Sequence, residues 1–213
     1  MAESLAPEVY QLHIWLRQIS PMIWRRLLVR SDSTLADLHY IIQIAFDWTD
    51  FHLHCFRIHG KDYGVSRVGG PWYCADARGV RLADLQFRLN EWFLYEYDFS
   101  DGWQHQVRIE RWLELDRKRT YPICIGGQRT APPEDCGGPW VFLKRRDRAP
   151  WEAREYLWQI AEEIEVGDLD AAQDRLETLR SLRAWLTLDR FDRRQVNRRL
   201  WQYAMGDEEG RWA

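Results

Sequence analysis

The chain has 213 residues, 30 basic and 33 acidic groups, a formal net charge of −3, 46% hydrophobic residues and 14% aromatics, with 13 Trp. This aromatic content excludes collagen, coiled coil and disorder, and the length allows about 70% of the unfolded surface to be buried in a core without staples. The near-neutral charge argues against a dedicated nucleic-acid domain, although the basic residues are Arg apart from Lys61, Lys118 and Lys144.

No apolar run is long enough for a membrane helix. The start, with Glu3 and Glu8, lacks the basic and apolar stretches of a signal peptide. A cytoplasmic protein without membrane contact is therefore expected. Cys55, Cys74, Cys124 and Cys136 form no C-x-x-C pair, so they read as free, buried thiols rather than a zinc knuckle or a disulfide.

Residues 9–19 alternate, with Tyr10, Leu12, Ile14 and Leu16 on one face, and predict a strand. Ser20-Pro21 is a turn. Ile23, Leu27 and Val29, with Arg25 interposed, predict a second strand to about Arg30. Ser31, Asp32 and Ser33 are N-cap candidates for an amphipathic helix over 34–46, carried by Leu35, Leu38, Ile41, Ile42 and Ala45. A third strand is expected over 52–59, with His52 and His54 on one face. Residues 60–80, around Gly69-Gly70-Pro71, predict a loop with a short helical turn near Leu82–Leu85.

Residues 92–99 and 103–115 predict a hairpin about Asp101-Gly102. A two-residue turn would set Asp98 opposite His105. A three-residue loop with Gly102 left-handed instead sets Phe99 opposite Trp103 and sorts Phe93, Tyr95, Tyr97 and Phe99 onto one face. The second register is preferred because a one-residue slip is costly when one face is buried. His105 is then a core-face histidine near Tyr97, and Asp98 faces away.

Residues 120–139 hold several Gly and Pro and predict an ordered loop packed on the sheet. Tyr121, Ile123, Ile125 and Trp140 are its expected anchors, and Gly126-Gly127 and Gly137-Gly138 its expected reversals. Helices follow at about 139–147, 151–165, 169–186 and 192–204, the last capped by Asp192. The expected fold class is α+β: a mainly antiparallel sheet from the N-terminal half, one helix after strand 2, and a helical C-terminal part. The expected organisation is a single domain over 1–213, with a sheet-rich core at 9–140 and helices at 141–213.

Five segments carry a family resemblance: WRRLLV at 24–29, LADLHYIIQIAFDW at 35–48, FHLHCFRIHG at 51–60, YEYDFSDGWQHQVRIE at 95–110 and APPEDCGG at 131–138. With FDRRQVNRRL at 191–200, they occur in an order that resembles the plasmid pRiA4b ORF-3-like family. The resemblance spans roughly 9–165 and 189–200, leaving 167–188 as an extension. It implies a compact α+β domain and a gene carried by plasmids or insertion elements, and it implies no catalytic residue. Some relatives bear the label TnpR, which would suggest a resolvase. The residues do not support that label: His54-Cys55-Phe56-Arg57 fits H-x-x-R, but on a strand its ends face opposite ways. Relatives usually have Gly where this chain has Ser100.

Two functional readings follow. The leading one is a non-enzymatic accessory or binding protein of mobile-element origin, without a cofactor. Its protein or nucleic-acid partner docks in a groove near the 60–80 and 120–139 loops, with Asp98, Asp101, His105, Glu134 and Asp135 as binding residues. For nucleic acid, Arg145, Arg146, Arg190, Arg194 and Arg198 are the candidates, the last three forming an i, i+4, i+8 stripe that could grip phosphates. The alternative is a metal-dependent hydrolase or nuclease-like enzyme. In it, a divalent transition metal is held by His52 and His54, about 7 Å apart along one strand face, with Asp98 or Asp101 as the third ligand.

Overall fold

The structure is a computed structural model that describes residues 9–66 and 71–207. Eight strands make one sheet: β1 (Val9–Leu16), β2 (Trp24–Arg30), β3 (His54–Ile58), β4 (Lys61–Gly64), β5 (Ala75–Asp76), β6 (Trp92–Tyr97), β7 (Trp103–Leu113) and β8 (Ile123–Gln128). Their order is β5-β4-β3-β6-β7-β1-β2-β8, antiparallel except for β4 with β5. The helices are α1 (Leu35–Phe46), α2 (Gly138–Glu165), α3 (Leu169–Ser181), α4 (Arg183–Leu186) and α5 (Arg193–Ala204). The fold is α+β, with the sheet built by the first half and most of the helix by the second.

Alternation explains β1. Tyr10, Leu12, Ile14 and Leu16 are buried, and Gln11, His13 and Trp15 are half-buried. Helix α1 covers the sheet with Leu35, Leu38, Ile41, Ile42, Ile44 and Phe46, all essentially fully buried, each worth about 1.5–3 kcal/mol relative to exposure. Its cap is Thr34 rather than the Ser31–Ser33 run. Thr34 Oγ1 accepts from Asp37 N at 3.0 Å and Asp37 Oδ2 accepts from Thr34 N at 2.8 Å, a reciprocal box that ties up two orphan amides.

Several expectations are corrected. The expected loop at 60–80 contains β4 and β5, while its Gly69 and Gly70 lie outside the described residues, as do Glu3 and Glu8. The expected loop at 120–139 contains β8, so Gly126 and Gly127 are strand residues and not reversals. Gly127 is needed there for space: an added Cβ would lie 2.4 Å from the Phe191 ring. Because β4–β5 and β8 form opposite edges of the sheet, the strand-forming parts of the two expected loops do not line one groove. Trp140, an expected anchor, is 76% exposed.

Helix α2 runs unbroken through Pro150, which forfeits one backbone bond, while Ala149 and Ala153 stay buried on its inner face. The segment expected as one helix over 169–186 divides into α3 and α4. Trp185 and Leu188 join the core, with Trp185 against Phe142 at 5.8 Å.

The hairpin keeps the expected face but not the register. Tyr97 pairs with Trp103, Tyr95 with His105 and Phe93 with Val107. The connection is therefore longer by two residues, which preserves which side chains face the core. Asp98 causes the difference: it leaves the strand at φ 56° and its Oδ1 accepts from Ser100 N at 3.0 Å and Asp101 N at 3.3 Å, so the side chain builds the turn. Gly102 has φ 68°, as expected, and Phe99 is 42% exposed instead of facing Trp103.

This turn docks on the start of α2. Gly137 N donates to Asp101 Oδ2 at 3.1 Å, and a Cβ on Gly138, at φ 79°, would lie 2.4 Å from the Asp101 carbonyl oxygen. Gly138→Ala is expected to destabilise the protein by about 1–3 kcal/mol through left-handed strain and this clash. A drop in the urea midpoint at unchanged m-value would report it.

Candidate metal centre

Two histidine–carboxylate clusters lie where the C-terminal end of α1, the start of β3, the 98–102 turn and the 131–137 segment meet. The first contains His39, Asp50 and His54; the second contains His52, Asp98 and Asp135. In each, one ligand atom per residue lies within 4.8 Å of the others. The expected pairing of His52 with His54 is not found. Strand β3 begins at His54, so His52 stands before it and turns to a different cluster.

The first cluster is a closed hydrogen-bond ring. Gln43 Nε2 donates to the Tyr95 hydroxyl at 2.9 Å, that hydroxyl meets His39 Nδ1 at 2.7 Å, and His39 Nε2 meets Asp50 Oδ1 at 2.7 Å. Asp50 N donates to Gln43 Oε1 at 3.0 Å and closes the circuit. The pattern calls for a proton on His39 Nε2, with its Nδ1 lone pair occupied by the Tyr95 O–H. Burial lifts the Tyr95 phenol well above its usual range, opposed by the Gln43 bond, so the hydroxyl stays protonated. His39 and His54 stack at 3.6 Å with planes 12° apart, so their in-plane lone pairs run parallel and do not converge on one ion. This cluster is built to order the core.

The second cluster differs in each respect. His52 is half-buried, with Nδ1 3.7 Å from Asp98 Oδ1 and Nε2 3.0 Å from Asp135 Oδ1. Asp98 is 3% exposed. Asp135, at φ 56°, has a side chain 74% exposed and reaches in from the opposite loop. An ion about 2.1 Å from each ligand atom holds them about 3–3.4 Å apart. The ligand atoms here lie within 4.8 Å of one another, wider than that spacing, with Asp98 beside His52 Nδ1 and Asp135 beside Nε2.

Charge sets this corner apart. Asp50, Asp98, Asp101, Glu134 and Asp135 gather there, and among the described residues none of them forms a salt bridge with Lys or Arg; Asp50, Asp98 and Asp135 meet histidines instead. The field reaches neighbouring groups. Burial, then the Asp101 charge, pushes the Cys136 thiol up to about 11. Burial, then Glu134, raises the Tyr97 phenol far above its usual range. Glu134 is itself fully engaged: Oε1 accepts from Tyr97 Oη at 2.5 Å, and Oε2 accepts from Thr49 N at 3.0 Å and Thr49 Oγ1 at 2.6 Å.

The other expected site residues scatter. His105 is fully buried, edge-on to Phe46 at 4.7 Å and to Trp48 at 5.1 Å, away from the surface that a binding partner would contact. Arg145 lies over the Trp185 ring at 4.8 Å, and Arg146 donates to the Ser20 carbonyl at 2.6 Å. Arg194 and Arg198 are exposed on α5, but Arg190 precedes the helix, so the three do not form one helical stripe. His54 is buried and Arg57 exposed, as opposite strand faces require. Of the cysteines, Cys55 and Cys124 are buried, Cys136 is half-buried and Cys74 is exposed.

Sequence reasoning missed His39, Asp50, Tyr95 and Tyr97 as site residues. The available signal was in α1: His39 and Gln43, four residues apart, are polar positions inside an otherwise apolar stripe.

A mainly antiparallel sheet with a carboxylate–histidine corner at the mouth of its covering helix defines the class. The family model of the plasmid pRiA4b ORF-3-like protein matches residues 8–200, and the chain belongs to that family. It is 31% identical over 172 residues to the uncharacterized protein y4hQ of Sinorhizobium fredii, covering 79% of this chain and 87% of that one. It also matches the crystal structure of MM3350 from Methanosarcina mazei Go1, a protein of unknown function, with a TM-score of 0.64 and 30% identity over 89% of this chain and 97% of that one. Among the described residues, no helix is long and apolar enough to cross a membrane.

His105 gives the fold an acid limit. Burial pushes its imidazole down to about 3; the Tyr95 backbone opposes this and the Arg25 charge adds to it. The unfolded chain takes up this proton near pH 6.5 while the native state does not, so stability is lost as pH falls from about 6.5 toward 3, by roughly 1.4 kcal/mol per unit. Denaturant unfolding of His105→Leu at pH 7, 5 and 4 should show a flatter acid limb than the parent chain.

Proposed function

We propose that this chain is a binding protein whose working corner is the His52–Asp98–Asp135 cluster, and that the corner takes a divalent transition metal ion. The gathering of carboxylates without a Lys or Arg counter-charge carries the reading. Two carboxylates about 5 Å apart repel by about 3 kcal/mol at an effective dielectric of ~20. The exposure of Asp135 reduces that cost, and a bound dication reverses it. An imidazole nitrogen beside two carboxylates suits a transition metal better than calcium. Three protein ligands leave positions open, to which a partner brings an oxygen or nitrogen donor.

The same open positions favour a second reading, metal-assisted hydrolysis, since a bound water would be polarised there. Occupancy of both Glu134 oxygens weighs against it, because this neighbouring carboxylate is not free to take a proton. Binding is therefore preferred over catalysis. The partner is a protein or nucleic acid, and an origin on a mobile element fits the family.

The test is calorimetric titration of the untagged full chain with Zn²⁺ and with Mn²⁺. One equivalent should bind and raise the melting temperature. Asp98→Asn and Asp135→Ala should each weaken binding by about tenfold or more, whereas Asp50→Asn, in the neighbouring ring, should leave it unchanged. Equal affinity in the parent chain and the Asp98→Asn/Asp135→Ala double variant would defeat the proposal.

A further inference from the structure

Strand β2 places Arg25 on the core side of the sheet, opposite Ile14, in line with Leu27 and Val29. The residue is 2% exposed. Its Nε donates to the Ala45 carbonyl at 2.7 Å, and Nη1 donates to the carbonyls of Trp24 at 2.8 Å and Gln128 at 3.0 Å. The guanidinium carbon lies 4.0 Å from the Phe191 ring centroid and 4.9 Å from that of Phe46. These contacts use Nε and both Nη1 protons and set the guanidinium against two aromatic rings. Nη2 has no hydrogen-bond partner among the described residues, and no carboxylate pairs with this cation. A buried charge without a contacting counter-ion is costly: burial lowers the guanidinium pKa to about 10, opposed by the nearby Cys124 and Asp47.

Arg25 lines a pocket of about 220 Å³ between the end of α1, the chain after β8 and the start of α5. Its charged lining is Arg25, Arg190, Arg199, Asp47 and Asp192. Both carboxylates are already engaged: Asp47 pairs with Arg199, and Asp192 caps α5 by accepting from Arg194 N at 2.8 Å and Gln195 N at 3.0 Å. Three guanidiniums against two carboxylates leave one net positive charge. The remaining wall is largely apolar, from Ala45, Ala131, Phe191 and Val196.

We propose that this pocket binds a small organic monocarboxylate, with its carboxylate received by Arg25 Nη2 and its short apolar tail held against Phe191 and Val196. One net positive charge matches a monoanion rather than a phosphate dianion, and the volume admits a molecule of several non-hydrogen atoms. The proposal is independent of the metal corner.

The full chain, kept in EDTA so that the metal corner stays empty, is titrated with isobutyrate, with isobutanol as a neutral control that keeps the branched tail and lacks the carboxylate, and with inorganic phosphate. A ligand of about six non-hydrogen atoms should bind in the millimolar range or tighter. Isobutanol and phosphate should each bind about tenfold or more weakly, as loss of a charged hydrogen bond or of charge match requires. Arg25→Met should abolish isobutyrate binding. Should that variant not fold, Val196→Met, which extends a side chain into the pocket, should do the same while keeping the parent circular dichroism. Equal binding of isobutyrate and isobutanol, phosphate binding as tight as isobutyrate, or unchanged isobutyrate affinity in Val196→Met would each overturn the proposal.

Discussion

Polar rings must be buried beneath α1, and their heteroatoms need partners there. Tyr95, Tyr97, His39, His54, Trp48 and Trp103 are all nearly or fully inaccessible on the covered side of the sheet. A hydroxyl or imidazole left unpaired in such a place costs roughly 1–3 kcal/mol. Helix α1 and the loops around it meet the requirement for Tyr95, Tyr97 and Trp48, while Trp103 Nε1 has no hydrogen-bond partner among the described residues. Tyr95 takes Gln43 and His39; the Tyr97 hydroxyl accepts from Phe51 N at 3.1 Å and donates to Glu134; Trp48 Nε1 donates to the Pro132 carbonyl at 2.8 Å. The loops at 47–52 and 131–135 are therefore held down by the needs of the core. The acidic corner is the outward side of that same arrangement.

The strength of each sequence signal explains what was legible. Alternation in β1 and the apolar stripe of α1 are long and regular, and both elements lie where they were expected. Strand β8 was hidden because Gly126 and Gly127 read as breakers; their lack of a side chain serves the packing of Trp24 and Phe191. Helix α2 was divided at Pro150 because local propensity disfavours proline, whereas burial of Ala149 and Ala153 holds the helix to the body. In the hairpin the period-2 pattern identified the buried face but could not separate registers two residues apart, since both keep the same face inside. Asp98 decided the matter through its own turn hydrogen bonds.

The site was legible in part for the same reason. Asp98, Glu134, Asp135 and His52 stand out as polar residues beside breakers, and all of them reach one corner. Their grouping depends on contacts far apart in sequence, such as the 37-residue separation between Tyr97 and Glu134, which no local pattern encodes. His39 and Asp50 were overlooked because a histidine on an apolar helix face reads as filler. Here it fills by linking α1 to β6. Arg25 was visible as a charge interposed among strand residues, but its burial was not read from that pattern.

The two charged features of the molecule have opposite signs and share one short stretch of chain. Thr130 and Ala131 border the arginine pocket, while Glu134 and Asp135 belong to the acidic corner. Between them Pro132 and Pro133 fix φ, and Trp48 grips the Pro132 carbonyl. Thr130 Oγ1 ties the near end to the Arg190 carbonyl at 2.8 Å, and Thr49 ties the far end to Glu134. Asp47, which pairs with Arg199 at the pocket, lies in the same turn after α1 as Thr49, which serves the corner. Two parallel connections thus join the sites, one through 130–135 and one through 47–50, and both are pinned at each end. Such a frame ties down, at both ends, the short stretches of chain that run between the arginine-lined pocket and the acidic corner.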